Sequence, residues 1–393
     1  MTEPICIMLV AAEASGDDRG AGLMAALKRR LGPDAVRFVG LGGQGMAAEG
    51  LSSPFDMSEL SILGLVEGLK AYTRVIRRAD EMAALARREQ PDVAILIDSW
   101  GFTVRLAQRL KAQTPNLLIV KYVAPQVWAY RQGRAAALAK TVDHLLSIHS
   151  FDAPFFEKVG LPTTFVGNST LNLDFSAADP DGLRRRLGIS PEAPVLLVLP
   201  GSRPSEIERV APPFAEAVAL LKAVRPELQI IVPAASTVAE MVRTRVAGWP
   251  YRAHVVEGEA DRYSAMKAAT VALACSGTVT TEVALAGTPM VVGYRLAPLT
   301  YAIIKRLIRT KYVTLFNIAA EAFVAPELIQ DACTGPNLAR ELALQLDDPT
   351  LRQSQITAQN AALAKMGRGG PDPSEAAAEA VLKLLGRNAP PKV

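Results

Sequence analysis

The sequence predicts an α/β protein built from two parallel-sheet halves, and three observations carry that expectation. Short β-rich apolar runs alternate with longer segments of helical period from about residue 5 to residue 293. The strand candidates are apolar throughout instead of alternating with polar residues, as strands covered on both faces are. The chain has 393 residues, more than one ordinary core accommodates. In the first half the strands read Ile5–Val10, Val36–Gly40, Val93–Asp98, Leu118–Val123, His144–Ile148 and Thr163–Gly167. Helical segments separate them at Gly20–Leu31, Arg74–Glu89, Phe102–Lys111, Arg134–Lys140 and Ala153–Val159. From Asn172 to Pro194 the pattern breaks into Asp, Pro and Gly around a short basic helix, Gly182–Leu187, which reads as a linker. The alternation restarts with strands Val195–Leu199, Gln229–Val232, His254–Val256, Val271–Cys275 and Met290–Gly293. Its helices are Glu206–Val224, Val238–Val246, Asp261–Lys267 and Thr280–Ala286, and helical segments follow Tyr312, the last at Ser374–Leu385. The expected division is 1–171, a linker at 172–194, a second domain at 195–345, and C-terminal helices at 346–393 that cross back or exchange in a dimer.

Half of the residues are apolar and 21% are charged, a composition that excludes disorder and fibrous repeats. The 43 basic and 39 acidic residues leave a net charge of only +4, so no global field favours nucleic acid. Cys6, Cys275 and Cys333 lie far apart and form no CxxC pair, which suits a reducing compartment. The first apolar run, Ile5 to Ala12, is too short to span a bilayer or act as a secretory signal, so a cytoplasmic, soluble chain is expected. His144, His149 and His254 lack ligand spacing and Asp179-Pro-Asp181 reads as a turn, so no metal is expected.

Chemistry-bearing residues gather after strands. In an open parallel sheet the loops at the carboxyl ends of strands line the ligand crevice. Glu13, Ser15, Gly16 and Asp17 follow the first strand and serve either as binding groups or as caps of the next helix. Gly40 to Gly45 matches GxGxxG, but it follows the second strand, and a tight glycine turn competes with a dinucleotide site. Asp98 closes an apolar strand beside Trp100 and Phe102, where desolvation favours a general base; a loop-capping aspartate is the other reading. Gly201, Ser202 and Arg203 precede a helix and suit phosphate, through close backbone approach, hydrogen-bond donors and a bidentate guanidinium, unless Arg203 only pairs Glu206. Ser276, Gly277 and Thr278 repeat that arrangement, and Glu282 one turn later suits a ribose diol or offsets the helix dipole. Pro298–Tyr312 carries Lys305, Arg306, Arg309 and Lys311 without an acid. It reads as a basic amphipathic helix for an anionic membrane surface, or as one that buries its apolar face against the other domain.

At these residues the sequence resembles the lipid-A-disaccharide synthases, inverting glycosyltransferases of Gram-negative bacteria. The resemblance rests on Glu13–Asp17 with Gly20-Ala-Gly22, Phe38–Gly43 with Met46, Met57–Gly68, Pro91–Asp98, Tyr122–Trp128 with Arg131, and Phe165–Gly167. It continues through Leu199–Arg203 with Glu206, Ser276–Thr278 with Glu282, Pro289–Arg295, Lys311–Val313 with Asn317, and Pro326–Leu328. It implies a GT-B architecture, two Rossmann-like domains facing across a cleft. It implies transfer from a UDP-diacylglucosamine donor to the 6-hydroxyl of an acylated glucosamine 1-phosphate acceptor, with no cofactor. The family's essential carboxylate and arginine fall on Asp98 and Arg203, and its donor contacts on Gly201–Arg203, Ser276–Thr278, Glu282 and Asn317. Peripheral attachment to the inner face of the inner membrane and homodimers are also implied. Three positions depart from the family pattern: Gly101 replaces a second aspartate, Asn168 a histidine, and Glu321-Ala322 a Gly-Arg pair. Those departures motivate a rival expectation, a non-catalytic or weakly active paralogue that binds nucleotide-sugar or lipid.

Overall fold

The structure is a computed structural model that describes residues 3–60, 68–308 and 310–387. Its contacts divide the chain into two units, Met1–Ser169 with Gly370–Val393, and Thr170–Gly369.

The first unit contains β1 (Ile5–Val10), α1 (Ala14–Leu31), β2 (Val36–Leu41), α2 (Gln44–Ala48), α3 (Gly68–Glu89), β3 (Val93–Ile97) and α4 (Trp100–Gln113). It continues with β4 (Leu118–Tyr122), α5 (Gly133–Ala139), β5 (His144–Ser147), α6 (Ala153–Glu157) and β6 (Thr163–Phe165). All strands pair in parallel, in the order β2-β1-β3-β4-β5-β6. β1 and β3 are buried at every position because helices cover both faces. On one face Val10, Leu96 and Ile119 meet Met82 of α3 and Leu106 of α4; on the other Ile7, Leu9 and Ile95 meet Leu23 and Leu27 of α1.

The second unit holds α7 (Pro180–Leu187), β7 (Val195–Leu199), α8 (Pro204–Val224), β8 (Gln229–Ala234), α9 (Ala239–Ala247), β9 (His254–Glu257) and α10 (Glu259–Ala268). It continues with β10 (Val271–Cys275), α11 (Thr278–Leu285), β11 (Met290–Tyr294), α12 (Pro298–Ile304), α13 (Leu315–Ala320), β12 (Glu327–Ile329), α14 (Gly335–Asp347) and α15 (Pro349–Lys365). Its parallel sheet runs β12-β11-β10-β7-β8-β9. The eleven expected strands are all present. β12 was not expected: three half-buried residues at a sheet edge carry no apolar run.

Two segments differ from the sequence reading. Residues 172–194 are part of the second unit and not a free connector, because Leu183 and Ile189 insert into its core beside Leu197 and Met266. The last helix, α16 (Pro373–Leu384), packs on α1 of the first unit, burying Ala377, Ala378, Val381 and Leu382 against Leu23, Met24 and Leu27. Glu375 pairs there with Arg29 at 2.7 Å and Arg30 at 2.8 Å.

Candidate active site

At the carboxyl edge of the first unit's sheet three residues just past strand ends depart from ordinary backbone geometry. β3 ends at Ile97, and the next two residues, Asp98 and Ser99, both have left-handed backbone, with φ of 47° and 39°. The neighbouring β4 is followed by Val123 at φ 74°, an unfavourable conformation for a β-branched residue. Left-handed backbone costs about 1–3 kcal/mol at each such residue and persists where surroundings over-determine it, typically at functional sites. The turn lifts the Asp98 side chain to the edge, half-buried, where it accepts the Ser99 amide at 2.9 Å. Beneath it the Asp98 carbonyl accepts from Thr103 Oγ1 at 2.8 Å and from the ammonium of Lys121. Lys121 is 3% exposed; burial pushes its ammonium down to about 7, against the opposing pull of the Asp98 and Glu13 carboxylates. Lys121 was missed in the sequence, although a lone lysine within the apolar strand Leu118–Tyr122 is a visible signal.

A cavity of about 520 Å³ opens beside this turn, lined by Glu13, Leu60, Tyr72, Val75, Ser99, Trp100, Gly101, Phe102 and Arg105 together with Ala12. Its walls are largely apolar and aromatic, with Glu13 and Arg105 as its charges. Gly101 leaves space: a Cβ there meets nothing within 4 Å.

The four residues after β1 separate into different roles. Glu13 reaches the cavity and Ser15 is exposed on the first turn of α1. Gly16 is a packing residue, since a Cβ would come within 3.3 Å of Ala11 Cβ. Asp17 is not available to a ligand: it is 5% exposed, and its carboxylate accepts the amides of Gly43 at 2.7 Å, Gly45 at 2.8 Å and Met46 at 3.1 Å. It therefore caps α2 from across the sheet edge, where the sequence left a binding group and a cap of the next helix both open. The Gly40–Gly45 motif is a structural turn by the same geometry. A Cβ on Gly40, at φ 138°, would lie 1.8 Å from the Leu9 carbonyl oxygen, and one on Gly43 would lie 2.8 Å from Asp17 Oδ2.

In the second unit β7 leads into Gly201 at φ 110°, where a Cβ would lie 2.9 Å from Glu206. Glu206 reaches back from the first turn of α8 to the amides of Ser202 at 3.2 Å and Arg203 at 3.3 Å, and pairs the Arg203 guanidinium at 2.9 Å. The Arg203 side chain is 76% exposed, so this pair contributes little to stability. Ser276, Gly277 and Thr278 lie at the carboxyl end of β10 and the start of α11, and a Cβ on Gly277 meets nothing within 4 Å. Glu282, one turn along, has its carboxyl raised by burial, partly offset by Arg262, whose guanidinium lies 3.5 Å away. Asn317 departs from its expected role. It is fully buried, donates to the Ala325 carbonyl at 3.0 Å and accepts the amides of Val324 at 2.9 Å and Ala325 at 3.1 Å, so its amide ties α13 to the following loop.

The basic segment is not one amphipathic helix. α12 ends at Ile304, followed by a turn in which Lys305 and Arg306 are exposed, with Leu307 43% and Ile308 40% exposed. Arg309, and residues 61–67 within the Met57–Gly68 stretch, lie outside the described residues. Nearby in sequence, Phe323 is 61% exposed and meets Tyr312 edge-on at 4.9 Å. Among the described residues no helix is long and apolar enough to cross a membrane.

The profile of the family described as lipid-A-disaccharide synthetase matches residues 7–381. The lipid-A-disaccharide synthase of Rhodospirillum centenum is 42% identical over 383 residues, covering 98% of this chain and 95% of its own. That of Ruegeria pomeroyi is 43% identical over 388 residues, covering 96% and 95%. Among solved structures, the UDP-GlcNAc 2-epimerase of Neisseria meningitidis bound to UDP-GlcNAc superposes with a TM-score of 0.63 at 11% identity, covering 96% of this chain and 100% of that one. A glycosyltransferase from Rickettsia africae superposes with a TM-score of 0.60 at 10% identity, covering 98% and 99%. At such identities the structural likeness speaks for the two-domain Rossmann-like fold alone.

Proposed function

The chain belongs to the lipid-A-disaccharide synthase family, and from that premise we propose that it is a glycosyltransferase of lipid A biosynthesis. It condenses UDP-2,3-diacylglucosamine with 2,3-diacylglucosamine 1-phosphate, giving the tetraacyl β(1→6) disaccharide 1-phosphate and UDP. The observation that carries the reading within this chain is a carboxylate, Asp98, presented by a left-handed turn next to a largely apolar cavity of about 520 Å³. An acylated sugar offers both a hydroxyl for the carboxylate and a hydrocarbon chain for Leu60, Val75, Trp100 and Phe102.

The reaction is a single displacement. Asp98 accepts the proton of the acceptor 6-hydroxyl as its oxygen bonds to the anomeric carbon of the donor, whose bond to the UDP oxygen breaks with inversion. The electron pair leaves on the β-phosphate, where the Arg203 guanidinium and the N-terminus of α11 at Ser276, Gly277 and Thr278 offset the developing charge. Arg203 exchanges its exposed pairing with Glu206 for the diphosphate, and Glu282 accepts hydrogen bonds from the ribose diol. Gly201 allows close backbone approach at the same loop, and the Ser202 hydroxyl donates to the diphosphate.

Both substrates are lipids, which favours a membrane-attached enzyme on the cytoplasmic side. The exposed Lys305 and Arg306, together with Leu307, Ile308 and Phe323, support attachment of the second unit to an anionic bilayer surface. Replacing Lys305, Arg306 and Arg309 with Gln reduces sedimentation with anionic vesicles; unchanged sedimentation removes this surface from the reading.

The test of the whole is acceptor-dependent release of UDP from UDP-diacylglucosamine. Wild type turns over, and Asp98→Asn lowers kcat by roughly 10²–10⁴-fold with donor KM little changed. Donor binding without turnover in the wild type would return the chain to a binding protein, and near-normal turnover in Asp98→Asn would remove Asp98 as the base.

A further inference from the structure

Among the described residues Lys121 is the sole lysine or arginine that is buried, and burial of an ammonium is costly unless it is paired. It lies on β4 opposite Leu96 of β3, in a strand otherwise filled by Leu, Ile, Val and Tyr. Its ammonium donates to the Asp98 carbonyl and, at 2.9 Å, to Thr103 Oγ1 of α4. Thr103 Oγ1 in turn lies 2.8 Å from the Asp98 carbonyl and 3.0 Å from that of Ser99. Two donors from two different elements thus converge on the backbone of the left-handed Asp98–Ser99 turn. The charges acting on Lys121 are Asp98, at the end of β3, and Glu13, after β1; both are carboxylates.

We propose that Lys121 is a positioning residue for the transfer reaction: it clamps the left-handed turn through the Asp98 carbonyl and holds a positive charge behind the Asp98 carboxylate. The inference rests on Asp98 being the base. A flat apolar strand would suffice for the sheet, so a lysine here is explained by the turn it holds and not by the core it interrupts. The clamp fixes where the carboxylate stands relative to the cavity, and a displacement of about 1 Å at a reacting group can cost on the order of 10²-fold in rate. The charge adds a proton-linked component, since burial brings loss of the Lys121 proton down to about 7.

The experiment compares acceptor-dependent UDP release by wild type, Lys121→Met, Lys121→Arg, Thr103→Val and Asp98→Asn across pH, with circular dichroism to confirm folding. Lys121→Met lowers kcat by roughly 10- to 100-fold while donor KM stays within about twofold. It also loses the high-pH decline of kcat that wild type shows as Lys121 gives up its proton, and Lys121→Arg recovers part of the rate. A folded Lys121→Met with wild-type kcat, or a slow one that keeps the high-pH decline, overturns the proposal. If Lys121→Met does not fold, Thr103→Val carries the test: it removes the second donor to the same carbonyl and lowers kcat at unchanged donor KM, and a wild-type kcat overturns the clamp. Asp98→Asn separates the two levels. Normal turnover in Asp98→Asn overturns the base itself, whereas an inactive Asp98→Asn beside unaffected Lys121 and Thr103 variants overturns only the role of Lys121.

Discussion

Asp17→Ala separates a capping residue from a binding residue, because its cost follows from the geometry. The carboxylate accepts three amides, from Gly43, Gly45 and Met46. Met46 is fully buried, so its orphaned amide bears a desolvation penalty of about 1–2 kcal/mol. Gly43 and Gly45 are half-buried and regain water, so each loses about 0.5–1 kcal/mol. The total is about 3 kcal/mol, confined to the first unit. With a urea m-value of about 2 kcal/mol/M, the midpoint of that unit falls by about 1.5 M. Trp100 and Trp128 lie in the first unit and Trp249 in the second, so fluorescence with circular dichroism resolves which transition moves. Asp17→Asn keeps an acceptor for part of the set and falls between wild type and Ala. The reasoning is refuted if Asp17→Ala unfolds at the wild-type midpoint while acceptor KM rises about tenfold or more, for that is the signature of a ligand-binding group.

Asn317→Ala strands the buried amide and carbonyl of Ala325 and the half-buried amide of Val324 and lowers the stability of the second unit by about 2–3 kcal/mol, read from urea unfolding, with donor KM unchanged in the fraction that remains folded. Glu321 caps α13 at φ 54°, where glycine has no Cβ penalty, so Glu321→Gly raises the thermal midpoint, with a gain of up to about 1 kcal/mol. Two buried groups near the end of β5 pull the pH dependence of stability in opposite directions. Burial raises Asp152 from 3.8 to about 7, so the unfolded chain gives up this proton first and stability falls as pH rises from about 4 to about 7. Burial, aided by Arg19, lowers His149 from 6.5 to about 4, so the unfolded chain holds that proton longer and stability rises with pH over about 4 to 6.5. Asp152→Asn therefore makes the stability curve rise more steeply with pH over this range, and His149→Gln makes it fall; measuring both by urea unfolding between pH 4 and 7 checks the signs.

The sheets were legible because continuous apolar runs such as Val93–Ile97 and Val195–Leu199 have few other uses, and burial at every position follows from them. The sites were legible only as places. Sequence identified the carboxyl ends of β1, β3, β7 and β10 as the chemical edges, but it assigned polar residues there without knowing what else would compete for them. Asp17 and Asn317 are of the types that bind sugars and nucleotides, and the same hydrogen-bonding capacity let backbone amides take them: those of Gly43, Gly45 and Met46, about 26 to 29 residues from Asp17, and those of Val324 and Ala325. That competition is invisible without the register that brings the turns together. The reverse holds for Lys121, which the sequence reading passed over inside an apolar strand and whose neighbours are a strained turn and two carboxylates. A polar side chain at a strand end is thus a candidate for catalysis in proportion to the capacity its own fold leaves uncommitted. By that measure Asp98, which accepts the Ser99 amide beside an open cavity, and Arg203, whose guanidinium stays 76% exposed while it pairs the buried Glu206, outrank Asp17 and Asn317, whose oxygens are already filled.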